Sequence, residues 1–203
     1  MRVIAFDIGM RNLAWTVVDY SSKTFSEHSQ QQQQQQHQQP PRTIHSDIQK
    51  TIVSGMNVLD LQVFDACDGG VTNMMEVYRN IHSYLESWEM VWDKADVILV
   101  EQQMSTGKIH NIKAIKISQH ILAYFLIRFP QKKLVEYGAT FKTSLFGVHF
   151  KIKADRKKWS VEKVKELLEE DPVALDILEL IPKKDDVCDC VLMTFVYCFQ
   201  SSR

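Results

Sequence analysis

Met1-Arg2-Val3-Ile4-Ala5-Phe6-Asp7-Ile8-Gly9-Met10-Arg11-Asn12-Leu13-Ala14-Trp15-Thr16-Val17-Val18-Asp19 opens the chain, and the fold is decided by how it is read. Val3–Asp7 and Leu13–Asp19 are short runs of Val, Ile, Ala and aromatic residues, the composition of strands. Gly9-Met10-Arg11-Asn12 between them carries turn residues, so the two runs are expected to pair as an antiparallel hairpin. An apolar strand that begins at once leaves no room for a signal or transit peptide before it, and none is expected.

Working outward, Asn57–Phe64 carries Val58, Leu59, Leu61 and Val63 and reads as a third strand. Met74–Trp92 places Met75, Val77, Tyr78, Ile81, Tyr84, Leu85 and Trp88 at helical spacing. Asp96–Glu101 is a continuous apolar run, the mark of a central strand buried on both faces. Ile112–Phe129 repeats Ile, Ala and Leu at helical period and stops at Pro130, Lys132–Tyr137 is a fifth strand, and helices about Val161–Glu170 and Asp185–Phe199 complete the pattern. Three antiparallel strands followed by strands alternating with helices define an α/β fold: a mixed five-stranded sheet, antiparallel then parallel, flanked by helices.

The chain has 203 residues, 45% of them hydrophobic and 24% charged, which suits one folded domain spanning 1–203 and excludes a disordered protein. The longest apolar runs, Val97–Val100 and Ile121–Ile127, fall far short of the roughly 20 residues that a membrane-spanning helix needs. One stretch breaks the pattern. Gln30–Gln36, His37, Gln38, Gln39 and Pro40-Pro41 offer no apolar face, so about Tyr20–Ser54 is expected to be a mobile insertion. Cys67, Cys188, Cys190 and Cys198 form no CxxC pair, which argues against a disulfide framework or zinc site and for a reducing, intracellular setting.

The chemistry lies in four carboxylates. Asp7 ends the first strand and Glu101 ends the central one, where open α/β sheets hold their ligands. If those strands are neighbours, two anions meet in a partly buried place, an arrangement that calls for hard cations bound through oxygen. In Lys183-Lys184-Asp185-Asp186-Val187-Cys188-Asp189-Cys190, Asp186 and Asp189 are three apart and share a helical face. Asp185 and Asp186 also have the simpler role of acids in a first helical turn; Asp189 lies too deep for that.

Net charge is only −1, but Gln102–Lys158 holds twelve basic residues against two acids. A cationic block beside a carboxylate centre fits a phosphate backbone. The candidate DNA contacts are Lys108, Lys113, Lys116, Lys142, Lys151, Lys153, Arg156, Lys157 and Lys158.

Three segments together, Ile4–Trp15, Val100-Glu101-Gln102-Gln103-Met104 and Lys184-Asp185-Asp186-Val187-Cys188-Asp189, resemble the RuvC-type Holliday junction resolvases, the poxvirus branch in particular. The resemblance implies an RNase H-like fold, a homodimer and a Mg²⁺-dependent endonuclease that makes paired nicks in four-way DNA junctions. It implies that Asp7, Glu101, Asp186 and Asp189 are the metal ligands, that Lys142 assists the reaction, and that the protein works in the host cytoplasm. Two-metal phosphodiester hydrolysis is the expected chemistry, with two Mg²⁺ ions per site, Mn²⁺ as a substitute, and Lys142 or Lys158 offsetting charge on the phosphate. Two features depart from the family. Bacterial members carry an aromatic wedge shortly after the central-strand Glu, whereas Gln102-Gln103-Met104 has none, and the Gln-rich tract has no family counterpart.

An RNase H cutting RNA–DNA hybrids and an idle junction-binding module are the alternatives within the same fold. An actin/Hsp70-like ATPase is disfavoured, because the chain has only seven glycines, its one Gly-Gly pair (Gly69-Gly70) precedes the central strand, and 203 residues leave no duplicated domain.

Overall fold

The computed structural model describes residues 1–21, 46–70, 73–103, 111–138 and 140–202. The Gln-rich run, Met104 and Lys108 lie outside them. Strands β1 (Arg2–Asp7), β2 (Leu13–Tyr20), β3 (Met56–Phe64), β4 (Val97–Gln102) and β5 (Lys133–Gly138) form one sheet in the order β3-β2-β1-β4-β5. β2 is antiparallel to β1 and β3, while β4 runs parallel to β1 and β5. The expected mixed sheet is therefore present, and β1 and β4 are neighbours at its centre.

The turn between β1 and β2 requires glycine. A Cβ on Gly9 would stand 2.6 Å from the Asn12 carbonyl oxygen, closer than real side chains approach.

Strand periodicity divides the core in two. Ile4, Phe6, Trp15, Ile98 and Val100 face one layer, made by α2 (Met74–Ser87), α3 (Glu89–Trp92) and α4 (Ile112–Arg128). Val3, Ala5, Ala14, Val97 and Leu99 face the other. That second layer contains α1 (Ser46–Ser54), α6 (Lys153–Leu167), α7 (Pro172–Leu180) and α8 (Lys184–Ser201), with the single turn α5 (Phe141–Ser144) beside them. Among the described residues, no helix is long and apolar enough to cross a membrane.

Several expectations shift in instructive ways. The mobile insertion expected over about Tyr20–Ser54 is corrected at both ends, because Tyr20 closes β2 and residues 46–54 form α1 with Ile52 fully buried, while residues 22–45 lie outside the described residues. The single helix expected over Met74–Trp92 breaks at Trp88, and the break carries Trp92 edge-on to Trp15 at 4.9 Å while its indole donates to the Leu85 carbonyl at 2.8 Å. The helix expected from Val161 starts eight residues earlier, at Lys153. Every residue of α8 from Val187 to Phe199 is buried, as befits a helix enclosed on all sides.

The apolar side chains of α4 divide between core and surface. Ile117, Ile121, Leu122 and Phe125 are buried, whereas Ile112 and Leu126 are each 60% exposed and Ile127 is 77% exposed. All four cysteines are free and buried. Burial pushes the Cys188 and Cys198 thiols up to about 12, so they remain protonated.

Candidate active site

β1, β4 and β5 run in parallel, so their carboxyl ends share one edge of the sheet, and α4 and α5 begin there. Phe6 pairs with Val100, which sets Asp7 beside Glu101 one step further on. Both side chains fall on the face that Ala5 and Leu99 give to the α8 layer. Sequence alternation thus aims both carboxylates at the start of α8, and there Asp189 meets them.

Lys142 joins the three. From α5 its Nζ donates to Glu101 Oε1 and to Asp189 Oδ2, each at 2.8 Å, with only 2% of the side chain exposed. Ser160 of α6 donates its hydroxyl to Asp189 Oδ1 at 2.9 Å. Gln103 Nε2 reaches Glu101 Oε2 at 3.2 Å. Both oxygens of Asp189 therefore have partners, and so have both oxygens of Glu101.

Burial, and then the negative charge of Glu101, hold the Asp7 carboxyl well above the usual carboxylate range. Burial also works against ionised Glu101, but the neighbouring Asp7 carboxyl and the Lys142 ammonium outweigh it and bring that group down to about 2. Burial opposes charge on Lys142 as well, yet Asp189, Glu101 and Asp7 keep its ammonium protonated more firmly than usual.

Asp186 has different partners. Lys183 Nζ lies 2.5 Å and Lys157 Nζ 3.6 Å from its carboxylate, and Lys157 also pairs with Asp185. Neither acid caps α8 through its side chain; the helix has no side-chain cap. With the Asn12 amide oxygen turned toward it, Lys183 Nζ sits 2.8 Å away and ties the β1–β2 turn to the start of α8. The structure thus brings Asp7, Glu101, Asp189 and Lys142 together, and places Asp186 one helical turn away in a separate set of ion pairs.

The cationic residues divide similarly. Lys113, Lys116, Lys151, Lys153 and Lys158 are exposed and Arg156 is half-buried. Lys142 is not presented at the surface, and Lys157 is engaged with acids. Lys108 is among the residues not described. Sequence reasoning missed Ser160 and Gln103, since a lone Ser in a helix and a Gln after a strand carry no pattern.

The donor set fits a hard divalent cation. Asp7, Glu101 and Asp189 offer oxygen alone, and the charge of Glu101 bears on buried Asp7, a repulsion that a divalent cation relieves. Among the described residues, no group of three or more His, Cys, Asp or Glu already stands in metal-binding geometry. The Lys142 ammonium lies between two of the three carboxylates.

No family model matches the chain. In sequence it is similar to the uncharacterized protein 97L of Invertebrate iridescent virus 3, 36% identical over 114 residues that make up 56% of this chain and 53% of that protein. It is also similar to the uncharacterized protein 170L of Invertebrate iridescent virus 6, 30% identical over 144 residues, 59% of this chain and 57% of that one. The chain spans about half the length of the curated relatives it matches. In structure it is similar to the Fowlpox virus resolvase in complex with substrate Holliday junction DNA, with a TM-score of 0.61, 15% identity and 99% of both chains covered. Thermus thermophilus RuvC gives a TM-score of 0.59 at 14% identity, over 99% of this chain and 95% of that one. The fold of this chain is the RNase H-like fold of those resolvases.

Proposed function

We propose that this chain is a divalent-metal-dependent DNA endonuclease that makes paired nicks in four-way junctions, acting as a homodimer at the site of viral replication in the host cytoplasm. One observation carries the reading: Asp7, Glu101 and Asp189 come from three distant segments and meet around Lys142 at one edge of the sheet. The similar Fowlpox virus and Thermus thermophilus proteins were each solved with Holliday junction DNA, which supports the choice of substrate.

Asp7, Glu101 and Asp189 are the residues that would hold Mg²⁺, or Mn²⁺ in its place, with Asp186 as the further acid of the expected set. When bound, the metal supplies the Lewis acidity that activates water and stabilises a leaving 3′ oxygen. The protein's own groups do the rest. The Ser160 hydroxyl fixes the rotamer of Asp189, and Gln103 does the same for Glu101. Asp7, held above the usual carboxylate range by burial and the Glu101 charge, would offer its oxygens to the cation alongside Glu101 and Asp189. Lys142 keeps a positive charge within reach of phosphate. Lys113, Lys116, Lys151, Lys153, Arg156 and Lys158 hold the sugar–phosphate backbone.

Paired nicks need two active sites facing one junction, hence a two-fold dimer, and the exposed Ile112, Leu126 and Ile127 of α4 are available for the contact. The test is incubation of the full chain with a labelled four-way junction and a labelled RNA–DNA hybrid, with Mg²⁺ or with EDTA. Symmetric nicks in the junction alone, dependent on Mg²⁺, are expected. Cleavage of the hybrid alone moves the assignment to an RNase H, and junction binding without cleavage makes it an inactive binding module.

A further inference from the structure

Lys142 is an unusual occupant for a cluster of metal-binding carboxylates. Its ammonium lies 2.8 Å from Glu101 Oε1 and 2.8 Å from Asp189 Oδ2. The other oxygen of each carboxylate is taken, Asp189 Oδ1 by the Ser160 hydroxyl and Glu101 Oε2 by Gln103. The two oxygens that face each other across the site are therefore the two that Lys142 holds.

Taking the nuclease assignment as its basis, we propose that Lys142 is a resident counter-ion that competes with the divalent cation for Glu101 and Asp189, so that metal entry requires its ammonium to leave them. Two requirements conflict. Mg²⁺ needs its oxygen ligands at about 2.0–2.1 Å, and an ion between those same oxygens would lie almost in contact with the ammonium. Like charges at such a distance inside a protein repel by several kcal/mol at an effective dielectric near 20. The lysine can move because its charge sits on a flexible four-carbon stem, carried by a helix of only four residues, Phe141–Ser144. Released from the acids, the same ammonium is free to meet a phosphate. The exchange links two events: the protein keeps its carboxylates neutralised until a cation arrives, and the cation's arrival frees a DNA contact.

Calorimetric titration of the full, DNA-free chain with Mg²⁺ tests the competition, comparing the wild type with Lys142→Met, which keeps the length and apolar stem. The variant should bind Mg²⁺ about tenfold tighter or more, the change that roughly 1.4 kcal/mol represents. Equal or weaker binding overturns the proposal. A second measurement needs no variant. With nitrogen-labelled lysine, the shielded Lys142 ammonium of the wild-type chain should give a protected resonance that disappears as Mg²⁺ saturates the site. Persistence of that resonance at saturation overturns the proposal even if Lys142→Met does not fold. Junction cleavage by the wild type, run in parallel, separates the two readings. Cleavage together with equal Mg²⁺ affinities removes the counter-ion role alone, whereas neither cleavage nor metal binding removes the nuclease assignment and this proposal with it.

Discussion

Two lysine–carboxylate clusters stand one helical turn apart at the start of α8, and they are built differently. The inner one joins Lys142 to Glu101 and Asp189, with the lysine 2% exposed and a serine hydroxyl on the remaining Asp189 oxygen. The outer one joins Lys157 and Lys183 to Asp185 and Asp186, with Lys157 32% exposed and Lys183 44% exposed. Both clusters pair lysines with acids and the spacing along the helix is three residues, yet only the inner cluster joins its helix acid to the end of a strand through a lysine that is 2% exposed. Depth, more than the kind of acid, separates a group prepared for chemistry from one that solvates a helix start.

The largest expected effect is on cleavage. Asp7→Asn and Asp189→Asn should each lower junction cleavage by roughly 10²–10⁴-fold, the scale for loss of a positioned catalytic group, while gel-shift binding of the junction persists. Asp186→Asn should lower it distinctly less, and an equal fall at positions 186 and 189 would erase the division between the clusters.

Stability comes next. Asp189→Ala strips Lys142 of one carboxylate and leaves the Ser160 hydroxyl without its acceptor, which should cost about 3 kcal/mol in urea unfolding without divalent cations. Asp185→Ala, in the more solvated cluster, should cost at most about 1 kcal/mol.

The inner cluster should also respond to pH. Asp7 is held above its ordinary value of 3.8, so its contribution to metal-free stability is full below that value and is lost as pH rises through the raised one. Glu101 is lowered from 4.5 to about 2, and its contribution is present above 4.5 and lost as pH falls toward 2. Because a cation must displace the Asp7 proton, Mg²⁺ affinity should climb with pH and binding should release up to one proton. Titration in two buffers with different heats of protonation measures the release. The smallest effect belongs to the rim: Lys158→Ala should reduce the slope of log affinity against log salt by about 1 for junction binding.

What could be read from the residues follows the same division. Asp7 and Glu101 were legible as carboxylates that end apolar strands, while their meeting depended on β1 pairing with β4, which the structure supplies. Asp189 stood out because it lies past the first helical turn. The pairing with Lys142 was not legible, since it joins residues 41 and 47 positions apart through a four-residue helix. The amino half of α6, Lys153-Ala154-Asp155-Arg156-Lys157-Lys158, has too few apolar residues for periodicity to show, although Ala, Arg and Lys are good helix formers. α7 had a signal that went unused: Asp171 precedes Pro172, and in the structure the Asp171 side chain accepts from the Ala174 amide at 3.0 Å with the proline in the first turn. α1 was hidden by the polar tract before it.

α8 is enclosed from Val187 to Phe199, and its far end is fastened by the Tyr20 hydroxyl, 2.7 Å from Ser202 Oγ. Asp189 is thus mounted on the segment least able to fray. Backbone amides around it should exchange with deuterated solvent only when the entire domain opens, far more slowly than those of Phe141–Ser144 carrying Lys142. The anchored acid and the loosely carried base would then keep different clocks, one set by global unfolding and the other by the breathing of a single turn.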